Sequence, residues 1–309
     1  MKNKDPLVSI LMNCFNGELY LKEAIDSVIN QTYKNWELIF WDNCSSDKSA
    51  EIFHSFSDKR LRYFCSEKHT GLGLGRKLAY EQICGEFLAV LDVDDVWYPK
   101  KLEQQIKFFD DQEVGIVISD TLFFNELKEK ILYNGTYPQE GYVFSSLFLN
   151  YFVSLETLVL RKSVIDKLDY SFDADFDAIS DFDIVVRASR ISKLCICKEV
   201  LAKWRVHDLS DSWLSPVTKS IEKDKWLAKQ LKHIPGFQKE YGKEIKKFII
   251  KNQRSKALSY LVMGKRLMAF RSLFSFKSIY PTDLIIIVFC FLPLSGAFIG
   301  YYQMKRTLT

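Results

Sequence analysis

The first 120 residues alternate short apolar runs with segments of helical spacing, and few folds accommodate that order. LVSILMN (7–13), WELIFWD (36–42), LRYFC (61–65), FLAVLD (87–92) and GIVISD (115–120) have the length of strands. Between them lies ELYLKEAIDSVINQ (18–31), with Leu21, Ile25, Val28 and Ile29 on one face, and DKSAEIFHSF (47–56), with Asp47 as its N-cap. GLGLGRKLAYEQIC (71–84) opens on glycine, and PKKLEQQIKFFDD (99–111) has Pro in its first position, where a missing N–H costs nothing. Strands of near-continuous apolar character joined by helices predict an α/β fold, a parallel sheet covered on both faces. The regularity then fades. TYPQEGYV (136–143) reads as a turn or hairpin, ETLVLRK (156–162) as a strand, DFDIVVRASRIS (181–192) as a helix and LCICKEVLAKWRV (194–206) as extended chain.

Composition limits what such a fold can do. The 309 residues are 48% apolar and 27% charged, enough for one large domain with an appendage. Seven cysteines form no CxxC pair and do not cluster with the four histidines, which argues against a disulfide framework or zinc site and for a reducing cytosol. The opening MKNKDPLVSILMNCF lacks a signal peptide, its apolar run being interrupted at Asn13, so a cytoplasmic catalytic part is expected.

The charge is divided. Residues 216–309 carry 18 Lys and Arg against five Asp and Glu, and residues 1–215 carry 25 against 34. An acidic catalytic domain (1–215) and a basic helical region (216–309) are expected. Within the second, LIIIVFCFLPLSGAFIGYY (284–302) is a run of 19 uncharged residues, just enough to cross a bilayer or lie in its interface. Ten Lys and Arg between 243 and 277 are interleaved with Phe248, Leu261, Leu267, Phe270 and Leu273. Such a stretch reads as a helix on an anionic membrane, with the cationic flank on the cytoplasmic side. Aromatic residues are not set out on strands as stacking platforms, which argues against nucleic acid.

Ligands of open parallel sheets bind beyond the carboxyl ends of the strands, where this chain places Asn13, Asp42, Asp92 and Asp120. LAVLDVDDVWYP (88–99) stops an apolar strand on three carboxylates. Asp92 and Asp94 would repel unless a cation lies between them, and hard oxygen ligands with substrate phosphates suit Mg²⁺ or Mn²⁺. An acidic turn ahead of the helix at Pro99 explains the same residues, and helix capping explains Asp95. Asp42, Asn43 and the serines of WDNCSSDKS (41–49) can read a nucleobase or ribose, or simply cap a helix. HTGLGLGRKLAY (69–80) is neither a dinucleotide fingerprint nor a P-loop; its glycines allow close backbone approach, with Arg76 near phosphate. SDFDIVVRAS (180–189) offers Asp181 as a general base or as a helix-start charge, and WRVHDLSDS (204–212) offers Arg205 and His207.

Taken in order, these segments resemble the family 2 glycosyltransferases of the GT-A fold, of the bacterial cell-surface polysaccharide type, over roughly residues 5–213. PLVSILMNCFN, WELIFWDNCSSDKS, HTGLGLGRKLAY, LDVDDVWYPKKL, SDFDIVVRAS and WRVHDLSDS carry the resemblance. It implies a Rossmann-like, mostly parallel sheet. It also implies roles: Asn13, Asp42, Asn43, Arg76 and Asp92 toward the nucleotide-sugar donor, Asp94 and His207 toward Mn²⁺ or Mg²⁺, and Asp181 as the base. This chain departs from the family at Asn43, where Asp is usual, at Cys44, where Gly is usual, and at Ser180, where Glu is usual. Inverting transfer to a lipid-linked glycan acceptor at the cytoplasmic membrane face follows as the expectation. A nucleotidyltransferase acting on sugar phosphates and a non-catalytic membrane scaffold are the alternatives.

Overall fold

The structure is a computed structural model and describes residues 5–207 and 217–274. The chain divides into two compact units, Met1–Asp208 and Leu209–Thr309. The first runs β1 (Val8–Cys14), α1 (Leu21–Ile29), β2 (Trp36–Asp42), α2 (Ser49–His54), β3 (Leu61–Cys65), α3 (Leu72–Tyr80), β4 (Phe87–Val90), β5 (Val96–Trp97) and α4 (Lys101–Ile106). It continues with β6 (Val114–Phe124), β7 (Glu129–Ile131), α5 (Phe144–Leu149), β8 (Val159–Arg161), α6 (Lys162–Ile165), α7 (Ser180–Ser189) and β9 (Lys193–Arg205).

The strands form one sheet in the order β3-β2-β1-β4-β8-β6-β9-β5, with β7 on the flank of β6. The pairings β1–β2, β2–β3, β1–β4 and β6–β9 are parallel and carry four to ten residue pairs each. The sheet is thus mostly parallel, as the resemblance implies. β8 runs antiparallel to β4 and β6, β5 to β9 and β7 to β6, with two or three residue pairs in each ladder. β7 follows β6 through a tight turn, too short for the crossover a parallel partner requires. Strands this short carry no readable alternation, so β5 and β7 escaped the sequence pattern, and the expected strand 156–162 shrinks to β8.

Apolar runs without alternation produce strands buried on both faces, as β2 is at every position. Val8, Ile10 and Met12 alternate toward one face of the sheet and share a core with Leu21, Ala24, Ile25 and Val28 of α1. The sheet faces are thereby closed, and its polar chemistry is left at the ends of the strands.

A lysine is also buried, with no ion-pair partner at hydrogen-bond distance among the described residues. Lys101 of α4 is fully buried, its Nζ has no hydrogen-bond partner, and it sits 4.1 Å from the centre of the Trp97 ring. Burial pushes its pKa down from 10.5 to about 7, with Glu156 and Cys197 opposing. Between those two pH values the unfolded chain holds more protons than the folded one, so stability rises with pH across that window. Lys101→Met is expected to stabilise the protein by about 1–4 kcal/mol near pH 7. The gain should shrink as pH approaches the upper value, as denaturant melts at both ends of the range will show.

The second unit comprises α8 (Thr218–His233), α9 (Phe237–Glu240), α10 (Gly242–Val262) and α11 (Arg266–Phe274). Trp226 of α8 packs near Phe248 of α10, ring centres 6.2 Å apart. Asn252 of α10 donates to the Ser220 carbonyl and to Asp224 at 2.8 and 2.7 Å. Among the described residues no helix is long and apolar enough to cross a membrane; the run 284–302 lies outside them.

Candidate active site

Parallel register brings three strand ends to one edge. Asn13 pairs with Trp41 and Cys14 with Asp42 across β1 and β2, and Asp42 pairs with Cys65 of β3. On the other side the Leu91 N–H donates to the Leu11 carbonyl, so Asp92 emerges beside the end of β1. Asp120 is not part of this edge. Its strand continues to Phe124, and its buried carboxylate accepts N–H groups of Thr121, Tyr133 and Asn134. It anchors the segment that follows the β6–β7 hairpin.

Asp92 is the centre of the constellation. Arg76 of α3, nearly fully buried, donates to Asp92 Oδ1 at 3.0 Å and to the Ser180 hydroxyl at 2.5 Å. One guanidinium thus joins the end of β4 to the first residue of α7, and Asp181 is the next residue along. Burial raises the pKa of Asp92; Arg76 opposes the rise, while the charges of Asp94 and Asp181 add to it. Three carboxylates from two segments almost ninety residues apart therefore share one electrostatic site. Asp181 itself is half-buried in the first turn of α7.

His207 comes from the segment after β9, its Nε2 2.9 Å from Asp94 Oδ2 and its buried Nδ1 without a partner. Asp95 holds it there. Its carboxylate is almost fully buried and accepts the Arg205 N–H at 2.9 Å, while the Arg205 side chain donates to the Asp94 carbonyl at 3.1 Å and to Glu23. The role sketched for Asp95, capping the next helix, is corrected: α4 starts six residues later, at Lys101. Burial first, then Glu156, Asp94 and Asp92, push the Asp95 carboxyl well up, against the Arg205 N–H. Tyr151 is a second residue the sequence did not signal. Its buried hydroxyl forms no well-aligned hydrogen bond, yet burial and then the charge of Asp181 push its pKa well up.

Asp42 and Asn43, expected to face the nucleoside, are both committed within the protein. Asp42 accepts the Ser45 N–H at 2.8 Å and the Tyr63 hydroxyl at 2.6 Å. Asn43 donates to the Thr70 carbonyl at 2.7 Å and accepts the Thr70 N–H and hydroxyl at 3.1 and 2.9 Å. Its amide uses both faces, donor and acceptor; an Asp could not donate to the carbonyl. The serines are also spent, lacing the loop after β2 to the loop after β1: Ser45 accepts the Asn16 N–H and Ser49 the Gly17 N–H. Asp47 does not cap α2 but accepts the N–H groups of Glu18 and Ser49. Asn13 differs: both its amide atoms and the neighbouring Trp41 Nε1 are buried without partners.

Cys44 has a φ of 65°, the left-handed region where an L side chain costs about 1–2 kcal/mol. That accounts for the glycine usual at this position. Cys44→Gly is expected to stabilise the fold by about 0.5 kcal/mol after the entropy glycine adds to the unfolded chain, measurable as a shifted denaturation midpoint.

Of the α3 glycines, Gly73 approaches protein backbone, whereas Gly75 faces the Asn13 and Trp41 side chains. A Cβ on Gly73 would lie 2.4 and 2.5 Å from the carbonyls of Asp173 and Phe176, and the Gly73 N–H donates to Asp177 at 2.9 Å. Gly73 docks α3 against the segment that leads into α7, which fixes Arg76 beside Ser180. The second acid of α7, Asp183, is structural. It is fully buried and paired with Arg187 through two contacts of 2.8 and 2.6 Å. Asp183→Ala strands that guanidinium and is expected to cost about 3–5 kcal/mol, read as a lowered melting temperature.

The donor set at Asp94 suits a divalent cation. It offers one carboxylate and one imidazole in contact, a buried imidazole nitrogen unsatisfied, and two further carboxylates whose repulsion a cation relieves. No group of three or more potential ligands is preformed among the described residues. The surface hollow lined by Asp5, Thr32, Tyr33 and Glu103 lies toward the opposite end of β1, away from this chemistry.

Sheet order and acidic edge together define an α/β protein of the GT-A class. The family model described as glycosyl transferase family 2 matches residues 9–168, more than half of the chain, and the chain belongs to that family of transferase enzymes. It is 34% identical over 211 residues to the uncharacterized glycosyltransferase RT0329 of Rickettsia typhi, covering 66% of this chain and 65% of the relative. It is 32% identical over 168 residues to WfgD of Escherichia coli, named a UDP-Glc:alpha-D-GlcNAc-diphosphoundecaprenol beta-1,3-glucosyltransferase, covering 54% of this chain and 65% of that one. The matches thus span just under two thirds of these relatives' length. Among solved structures it resembles the mannosyltransferase PcManGT of Pyrobaculum calidifontis, in complex with GDP-Man and Mn²⁺. The TM-score is 0.64 at 15% identity, over 99% of this chain and 84% of that one, a likeness of fold.

Proposed function

We propose that this chain transfers a sugar from a nucleoside-diphosphate donor to a hydroxyl of a lipid-linked glycan, with inversion, at the cytoplasmic face of the membrane. The observation that carries the reading is the meeting of Arg76, Asp92, Asp94, Asp181 and His207 at one edge of the sheet, from segments spread over 131 residues of sequence. The donor's anionic diphosphate lies along this edge, with Asn13, Asp42, Asn43 and Arg76 shaping its binding site. Arg76 acts by holding Asp92 and Ser180, and Asn43 by fixing the loop at Thr70. Asp94 and His207 would hold Mn²⁺ or Mg²⁺, which when bound neutralises charge on the departing nucleoside diphosphate. Asp181 takes the proton from the acceptor hydroxyl as its oxygen attacks the anomeric carbon from the face opposite the leaving group. One carboxylate base suffices, and no enzyme nucleophile is required. Residues 1–215 carry the transfer and the basic region 216–309 carries the membrane association. The name of WfgD, with its diphosphoundecaprenol acceptor, supports a lipid-linked acceptor.

The test is a panel of sugar nucleotides with Mn²⁺, read first by thermal shift, since a ligand of the folded state raises its stability. The stabilising donor is then incubated with lipid-diphosphate acceptors. Release of nucleoside diphosphate and a product of inverted anomeric configuration are expected. Pyrophosphate release from a nucleoside triphosphate and a sugar 1-phosphate, with no transfer from the sugar nucleotide, would replace this reading by nucleotidyl transfer, and absence of any donor shift would favour a scaffold.

A further inference from the structure

The apolar residues of the basic stretch are mostly used inside the protein. Ile245, Phe248, Ala257, Leu261, Ala269 and Leu273 are all buried, and Ala257, Leu261, Ala269 and Leu273 form one core between α10 and α11. That face cannot also lie on a bilayer. What stays bare is the turn between the two helices together with the first turn of α11: Met263, Leu267 and Met268 are 47%, 63% and 48% exposed. The turn is well formed. Gly264 adopts a φ of 71°, and the N–H groups of Gly264 and Lys265 donate to Leu261 and Tyr260 carbonyls, closing the end of α10. Lys265 and Arg271 are exposed beside it, and Lys243, Lys246, Lys247 and Lys251 are exposed along α10.

We infer that this hairpin tip, residues 263–268, is the element that enters an anionic lipid surface: the three apolar side chains insert, and Lys265 and Arg271 beside them meet the headgroups. The inference rests on the membrane association proposed above and replaces a helix lying flat by a hairpin tip. Charge selects the occupant. Residues 217–274 carry 15 Lys and Arg against four Asp and Glu, so a second copy of the unit would meet like charge. Nucleic acid would leave the apolar tip unexplained. An anionic bilayer satisfies both parts. The uncharged run 284–302 begins with only nine residues between it and α11, so the turn lies close in sequence to a segment suited to the same surface.

The test is co-sedimentation of the full chain with phosphatidylglycerol-containing vesicles and with phosphatidylcholine vesicles. Binding to the first, weakened by salt, is expected, and Leu267→Glu/Met268→Glu should lower the partition coefficient by about tenfold or more. The donor thermal shift of that variant should stay that of the parent, which shows the fold intact. Lys265→Gln/Arg271→Gln, with the three apolar side chains untouched, should reduce the salt dependence. A Glu variant that binds as the parent does overturns the tip while leaving membrane association standing. Equal binding to phosphatidylcholine, or lipid-free dimerisation that the Glu variant abolishes, overturns it too. If the parent binds no vesicle, membrane association itself fails.

Discussion

Asp181→Asn is expected to lower turnover by about 10²–10⁴-fold while donor affinity and melting temperature stay near those of the parent. The substitution keeps shape and polarity but removes the ability to accept a proton. The site favours a clean result. Asp181 is half-buried, Ser180 beside it is held by Arg76, and the charge of Asp181 raises the pKa of Asp92. Removing that charge relieves repulsion, so donor binding has no electrostatic reason to weaken. The measurement is single-turnover release of nucleoside diphosphate beside a donor titration. Turnover within tenfold of the parent would take the base role from Asp181. Asp183→Ala supplies the contrast: two residues along the same helix, it should act on stability because its carboxylate neutralises Arg187 inside the protein.

Asp94→Ala is expected to remove the metal dependence of donor binding and weaken the donor by about 10–100-fold in Mn²⁺. Asp94 is the carboxylate in contact with His207, and the backbone beside it is fixed by Arg205 and Asp95. Alanine leaves that frame in place and deletes the carboxylate proposed to hold the cation. The donor's thermal shift in Mn²⁺ should fall to its value in chelator. A full Mn²⁺-dependent shift in the variant would move the metal elsewhere. Asp95→Asn is a useful companion, because it keeps both acids of the pair and weakens only the brace that presents His207.

The order of elements up to β6, apart from the two-residue β5, was legible because buried parallel strands and their crossover helices leave a strong apolar pattern, as in LVSILMN and WELIFWD. The acidic residues of the site were legible for a related reason. A strand such as FLAVLD that ends on charge has no core to put that charge in, so Asp92 and Asp94 mark a sheet edge from sequence alone. Partnership was not legible, since it depends on which segments meet in space. Only the tertiary structure spends Asn43 on Thr70, turns Gly73 toward Asp173 and Phe176, and makes Asp95 the brace for Arg205. The same holds in the second unit. Its sequence shows basic and apolar residues interleaved, but packing decided that Phe248, Leu261 and Leu273 face inward while Met263, Leu267 and Met268 do not. Periodicity says that a residue is apolar and on a face; which neighbour covers that face is a property of the folded chain.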